Sequence, residues 1–385
     1  MAIKVLHVVP AFFPATYWGG PIFSVFGLCN ALAEIPGVQL RVLTSDTAGP
    51  RVSERVKVSG FPMRYPCGYD VFFTRRILMN EIAPGMLRWL WSMIRWADVV
   101  HLTGAYSFPT IPTLLACRLL KKPLVWSPRG ALQATEEWKG AKKRKLKKVW
   151  EQICSAVMPE RCVLHVTSEK ERKMSLERLP NAVATMIPNG TDIPELLPAR
   201  RWRPDGVLRL LFLGRLDPQK GIENLLEALS QIDNDAVRLD IYGTGDFSYS
   251  RLLVSLANGL NLGDRVRFHG HVEAEEKTAA FLAADLCIMP SHSENFGMVV
   301  VEALAHGVPV IASKGTPWAT LVKKGCGLWV ENSPESLAKA IQSAKEMDIN
   351  GMGKRGREWV CAEMNWKRIA DDMFTEYRRL VEVRP

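Results

Sequence analysis

Apolar residues recur along this 385-residue chain in two alternating rhythms. Short β-branched runs read as buried strands. Longer stretches with an apolar residue at every third or fourth position read as amphipathic helices. In the first half this predicts strands near 3–9, 38–43, 98–102, 123–126, 163–166 and 184–187, with helices near 22–34, 86–96, 109–120, 140–157 and 169–178. A second cycle begins at Leu208-Arg209-Leu210-Leu211-Phe212-Leu213-Gly214. It predicts further strands near 237–242, 265–269, 285–289, 308–312 and 327–330, separated by helices near 221–232, 250–260, 275–283, 296–306 and 333–346. Such alternation is the signature of an α/β protein with parallel sheets and crossover helices.

Between the cycles lies Ile187-Pro188-Asn189-Gly190-Thr191-Asp192-Ile193-Pro194, followed by Pro198, Pro204 and Gly206. This is the densest run of turn formers in the chain, and the domain boundary is expected there. The organisation predicted is a Rossmann-like domain over 1–188, a second over 189–364, and a terminal helix over 365–385. In that helix Trp366, Ile369, Met373, Tyr377 and Leu380 form one apolar stripe. The second domain already has its set of helices, so the tail is expected to return to the first. Ligands bind at the carboxyl ends of the strands in doubly wound sheets, so the cleft between the domains is the expected site.

Composition narrows the function classes. The net charge of +10 favours phosphates, anionic lipid or nucleic acid as partners. Eight cysteines are scattered without a Cys-x-x-Cys, and the seven histidines show no metal-ligand spacing, so reduced thiols and no metal are expected. No apolar run is long enough to cross a bilayer, and the apolar start reads as a first strand and loop rather than a secretory signal. A cytoplasmic protein is expected.

Chemistry concentrates in the second cycle. Glu294 sits where a strand hands over to a helix, and Glu302 lies inside that helix among Val299, Val300, Val301, Ala303 and Leu304. A carboxylate in so apolar a helix is usually paired or functional. The free amides of a helix start suit phosphate and hydroxyl oxygens, and an ionised carboxylate binds sugar hydroxyls strongly. Gly214-Arg215-Leu216-Asp217-Pro218-Gln219-Lys220-Gly221 follows a buried strand and brings two cations toward the same strand ends. A site holding both a phosphate and a polyol points to a nucleotide sugar. The plainer alternative is a strand-loop-helix with solvated charges.

Other segments are weaker. Gly19 and Gly20, in Trp18-Gly19-Gly20-Pro21, permit close approach of backbone to a ligand, but turn glycines are common. Tyr242-Gly243-Thr244-Gly245-Asp246 is only half of a dinucleotide fingerprint. His101 and Arg129 each follow or end a strand at the expected cleft edge. His101 is equally readable as a hydrogen-bonded structural histidine, whereas Arg129 suits an anion or a sugar.

The run Lys139, Lys142, Lys143, Arg144, Lys145, Lys147, Lys148 falls on a helix whose apolar stripe is Leu146, Val149 or Trp150, Ile153 and Val157. That stripe either packs on the sheet or, with the cations, meets an anionic membrane surface. No helix-turn-helix, zinc finger or single-strand platform accompanies it, so nucleic acid is not expected.

Together these residues resemble the glycosyltransferase family 4 enzymes. The Glu294–Glu302 pair within Ser-x-x-Glu-x-Phe-Gly is similar to the family's E-x7-E signature. Gly214-Arg215 with Lys220-Gly221, Pro188-Asn189-Gly190, and Gly307-Val308-Pro309-Val310-Ile311-Ala312 match it in order. The resemblance implies a GT-B fold, metal-independent transfer with retention of configuration, and a returning C-terminal helix. It implies that Arg215 and Lys220 hold the diphosphate and Glu302 the ribose. Glu294 and the amides of Asn295, Phe296 and Gly297 would hold the donor sugar, with Gly214 and Val272 beside the nucleotide. Many relatives carry a histidine in the segment corresponding to Trp126-Ser127-Pro128-Arg129-Gly130, and this chain has none there; either Arg129 or His101 serves instead, or the role is unfilled.

The expected activity is transfer of a sugar from a nucleoside diphosphate, uridine or guanosine favoured over adenosine, to a hydroxyl on a glycan or lipid-linked acceptor. Ser127-Pro128-Arg129-Gly130-Ala131-Leu132 and Gly315-Thr316-Pro317-Trp318 are similar to bacterial relatives in cell-surface polysaccharide or lipopolysaccharide assembly, at the inner face of the membrane. Two alternatives stand: a sugar-nucleotide epimerase of the same fold, for which no convincing acid/base set is visible, and a non-catalytic basic protein binding membrane or nucleic acid.

Overall fold

The computed structural model describes residues 2–382 except 50–53, 78–81, 134–140, 199–201, 203–204, 233–235 and 273. The chain forms two compact units, Met1–Gly190 with Trp366–Pro385, and Thr191–Asn365. Thr191 N–H donates to the Met364 carbonyl at 2.8 Å, so the chain enters and leaves the second unit side by side.

The first unit is built on eight strands: β1 (Ile3–Val8), β2 (Val38–Ser45), β3 (Met63–Arg64), β4 (Asp70–Thr74), β5 (Val99–Thr103), β6 (Leu124–Ser127), β7 (Cys162–Val166) and β8 (Val183–Met186). Their order is β3-β4-β2-β1-β5-β6-β7-β8. Neighbours are parallel except β3 with β4. Alternate residues of β1 serve opposite cores. Ile3 and Val5 face helices Gly20–Glu34 and Trp366–Glu382, through Val25, Leu28, Ile369, Met373 and Tyr377. Leu6 and Val8 face helices Gly85–Trp96, Thr110–Leu119 and Ala141–Val157, through Leu90, Leu114 and Cys154. Both faces of the parallel sheet are therefore covered, as its near-continuous apolar strands require.

The terminal helix lies against helix Gly20–Glu34. A Cβ added at Gly27 would come within 2.2 Å of the Trp366 ring, and one at Gly190 within 2.5 Å. Two glycines thus open the seat of one indole.

The second unit has six parallel strands: β9 (Leu208–Leu213), β10 (Val237–Tyr242), β11 (Val266–Gly270), β12 (Leu286–Met289), β13 (Val310–Ser313) and β14 (Gly327–Val330). Their order is β11-β10-β9-β12-β13-β14. The order reverses between β9 and β12, the topological switch point at which doubly wound sheets bind ligands.

The elements not expected from the sequence include β3, β4 and helix Ile349–Glu363. β4 was hidden by the turn formers Gly60, Pro62, Pro66 and Gly68 that precede it. Helix Ile349–Glu363 was hidden by Gly351, Gly353 and Gly356, which read as breakers. The latter two serve packing instead: a Cβ at Gly353 would stand 2.1 Å from the Gly307 carbonyl oxygen, and one at Gly356 2.6 Å from Leu304 Cδ2. They let this helix close on helix Met298–Ala305 and the turn after it.

Candidate active site

The loops leaving β9 and β12 meet at the switch point. After β9 the chain runs through Gly214 and Arg215 into a single 3-10 turn, Pro218–Lys220, capped by Asp217, whose carboxylate accepts from Gln219 N–H at 3.0 Å. Gly221 then takes a left-handed conformation (φ 63°). Its backbone passes so near Pro290 that a Cβ would lie 2.2 Å from that carbonyl oxygen. His292 N–H donates to the Gln219 carbonyl at 2.8 Å. These contacts fix the two loops against each other and deliver Lys220 to Glu294, with Nζ 2.5 Å from Oε2. The side chains are 22% and 17% exposed, so solvent screens the pair incompletely.

The loop after β12 is held from its other side by β13. Ser313 Oγ donates to the Ser291 carbonyl at 2.5 Å, and Glu294 N–H to the Gly315 carbonyl at 3.3 Å. Phe296 is buried, its ring edge-on to Trp318 at 5.0 Å, and its carbonyl accepts the Trp318 indole N–H. Gly297, at φ 81°, is the N-cap of helix Met298–Ala305, and no side chain caps that end. Asn295, Phe296 and Gly297 thus form a stiff turn leading into the helix, with Glu294 one residue upstream.

Glu302, one turn into that helix, pairs with Lys277 at 2.6 Å, from helix Ala274–Ala283. Asp192 is close enough to feel both charges: burial raises its carboxyl above the usual range, Glu302 raises it further, and Lys277 opposes. Sequence reasoning missed Lys277, which shares no motif spacing with Glu302. Arg215 is exposed beside Gly214, and Val272 is half-buried just after β11.

The half fingerprint after β10 is explained by packing. A Cβ at Gly243 would fall 1.8 Å from the Gly214 carbonyl oxygen, and one at Gly245 1.9 Å from that of Leu216. Leu216 N–H donates to the Thr244 carbonyl at 2.9 Å. These glycines allow two loops to run side by side.

Two family models cover most of the chain. Residues 18–195 match Glycosyltransferase Family 4, and residues 198–359 match Glycosyl transferases group 1. The chain belongs to the family 4 glycosyltransferases. It is 33% identical over 217 residues to a D-inositol 3-phosphate glycosyltransferase of Geodermatophilus obscurus, covering 51% of this chain and 47% of that one. It is 35% identical over 214 residues to a GDP-mannose-dependent α-(1-6)-phosphatidylinositol monomannoside mannosyltransferase of Mycobacterium tuberculosis, covering 51% and 54%. The matched segments thus span about half the length of these relatives. Over 98% of this chain the fold matches sucrose-phosphate synthase from Thermosynechococcus elongatus, 99% of that chain, with TM-score 0.76 and 24% identity. This family 4 glycosyltransferase has the GT-B fold, two parallel-sheet α/β domains.

In the first unit of this glycosyltransferase, Gly19 (φ 74°) ends a 3-10 turn and caps the helix that Gly20 begins. A Cβ at Gly19 would meet nothing within 4 Å, so its backbone angle rather than crowding calls for glycine.

His101 is a correction to the reading of it as a donor or acceptor contact. It has no exposed surface, and both ring nitrogens are bonded inside the unit. The bonds order themselves. His165 Nε2 must donate to the Ile187 carbonyl (2.9 Å), so its Nδ1 accepts from Ser127 Oγ (2.7 Å). Ser127 in turn accepts from His101 Nε2 (2.6 Å), which leaves His101 Nδ1 to accept from the Tyr377 hydroxyl (2.5 Å). His7 stacks on His101 at 4.3 Å and bonds Thr103 through Nε2. Burial drives the histidine pKa values down, to about 3 for His7 and His165. Arg129, at φ 54°, lies beside this cluster; its guanidinium donates to Asn189 Oδ1 and interacts with Glu171. It is anchored within the first unit near the chain's exit from it.

Proposed function

We propose that this chain is a retaining glycosyltransferase that moves a sugar from a nucleoside diphosphate donor to a hydroxyl acceptor. The observation that carries the reading is the pair of Lys–Glu contacts, Lys220–Glu294 and Lys277–Glu302, on loops and helices at the switch point of the second unit. Lys220 and Arg215 meet the diphosphate, Glu302 the ribose, and Glu294 with the Asn295–Gly297 turn the sugar. Gly214 and Val272 border the nucleotide, and Gly19 and Gly20 are the first unit's candidates for the donor, with Arg129 for sugar or acceptor.

Charge growing on the leaving diphosphate is stabilised by the side-chain cations, so the reaction needs no metal ion. A donor phosphate oxygen takes the acceptor proton, and the protein supplies position and electrostatics. The donor is a uridine or guanosine diphosphate sugar; the named donor of the mycobacterial relative, GDP-mannose, favours this class. The acceptor is a glycan or lipid-linked hydroxyl in bacterial cell-surface polysaccharide, lipopolysaccharide or glycolipid assembly, reached from the cytoplasmic side.

A panel of uridine, guanosine and adenosine diphosphate sugars read by thermal shift tests the donor, since a ligand that binds only the folded state raises the midpoint. The successful donor should release free nucleoside diphosphate when an acceptor is supplied. No shift with any member, or a sugar inverted at one carbon with no transfer, ends this reading.

A further inference from the structure

The basic helix Ala141–Val157 packs only part of its apolar stripe on the core, through Trp150 and Val157. Leu146, Val149 and Ile153 are 71%, 51% and 42% exposed. The side it turns inward also carries Glu151 and Cys154. Its two neighbours in the same layer repeat the pattern. Helix Thr110–Leu119, in contact with it, exposes Leu115 and Leu119, and helix Gly85–Trp96, next again, exposes Leu87 and Trp91. All three bury their other sides in one core against the sheet, so these residues belong to one outer surface.

The charge on that surface has one sign. The three helices contribute Arg88, Arg95, Arg118, Arg144, Lys145, Lys147 and Lys148. Their single carboxylate, Glu151, is buried and paired with Arg178 at 3.0 Å. Arg144, Lys145 and Lys148 are exposed beside Leu146 and Val149. Lys139 lies outside the described residues. Large apolar side chains set among cations, with no exposed acid among the described residues of these helices, suit the headgroup layer of an anionic bilayer, which takes the apolar groups at its acyl boundary and the cations at its phosphates. A partner protein or a second copy of this chain would have to supply matching acids, and the described residues of the same three helices on a second copy expose none.

We propose that the outer surface of these three helices is a docking face for anionic membrane. Its test does not depend on the transfer reaction, because binding is read without donor or acceptor. Among the described residues no helix is long and apolar enough to span a membrane, so this contact would lie in the interface plane.

The test is flotation of the full chain with phosphatidylcholine vesicles, with and without phosphatidylglycerol at about a third of the lipid, at low and high salt. Binding is expected only to the anionic vesicles, and it should weaken steeply with salt. Arg144→Gln/Lys145→Gln/Lys148→Gln should lower the affinity by roughly a hundredfold, at about fivefold for each charge. Trp91→Ser/Leu119→Ser, on the two neighbouring helices, should lower it severalfold. Both variants should melt like the parent, because every changed side chain is exposed. Equal binding to neutral vesicles, no binding to either, or concentration-dependent self-association that the apolar variant abolishes would each overturn the proposal. Full retention of binding in Trp91→Ser/Leu119→Ser would overturn the three-helix surface.

Discussion

Lys220 and Glu294 stand 74 positions apart in the chain, yet their side chains touch at 2.5 Å. The contact follows from topology. β9 and β12 are neighbours at the switch point, and each sends its loop to the same end of the sheet. Backbone contacts between Gln219 and His292, and between Gly221 and Pro290, then leave the two side chains little freedom. A lysine already aimed by a carboxylate costs less to order when a diphosphate arrives.

That arrangement makes Lys220→Ala the first test of the proposed chemistry. Removing a cation that stabilises developing charge costs on the order of 3 kcal/mol in barrier, about a hundredfold in turnover. The pair is partly exposed, so the fold should survive. Steady-state kinetics beside a melting curve separates the two effects; near-normal turnover would remove Lys220 from the mechanism.

Lys277 acts one step further back, through Glu302. Without its ammonium, Glu302 is left with Asp192, a second acid whose carboxyl burial already raises. Lys277→Met should therefore weaken donor binding about tenfold, the worth of one charge-assisted hydrogen bond, with kcat changed far less. Lys277→Arg should restore most of the loss. A fall in kcat at constant donor KM would show that Lys277 acts elsewhere.

The carboxylate pair was legible in the sequence because it lies on one contiguous segment, with strand, turn and helix signals around it. Its lysine partners differ. Lys220 was legible because it sits in a glycine-bounded loop after a strand. Lys277 was not, because a lysine beside Glu275 and Glu276 reads as an ordinary solvated helix face. His101 was half legible: its partner Tyr377 is 276 residues away, and only the return of the last helix brings them together. The stripe of the basic helix was visible, but which side faced the sheet depends on the fit of Glu151 with Tyr106 and Arg178. Glycines misled at the helix that was missed. Gly353 and Gly356 are sites of helix packing, while Gly243 and Gly245, set aside as only half a fingerprint, let two loops run side by side.

Gly27 gives a test of the returning helix. Alanine in a helix interior is favoured over glycine by about 1 kcal/mol. Here its methyl carbon would enter within 2.2 Å of Trp366, and the indole would have to move. Overpacking of this kind costs roughly 1–3 kcal/mol, so the steric effect should win. Gly27→Ala is expected to lower the melting temperature, and Gly27→Ala/Trp366→Leu to recover part of the loss. A higher melting temperature for the single variant would show that the indole is not seated as described.

The buried histidines give the protein a stability that depends on pH in a defined direction. Protonating His101 or His165 would make both ring nitrogens donors, and the ordered bonds from Tyr377 to Ile187 need one acceptor on each ring. His7 and His165 are held down at about 3 and His101 well below its ordinary value, first by burial. In the unfolded chain each titrates near 6.5. Above that value neither state takes up a proton and their contribution is fully present. As pH falls below about 6.5 the unfolded state binds protons that the native state refuses, and stability drops by about 1.4 kcal/mol per pH unit for each histidine, until the native values near 3 are reached. Asp192, with its raised carboxyl, works in the opposite sense in the second unit, but it is one group against three. Urea unfolding between pH 7.5 and 5 should therefore show a midpoint that holds steady and then falls. The fall should be shallower by about a third in His165→Asn. A midpoint flat down to pH 5 would mean that these rings accept protons in the folded protein.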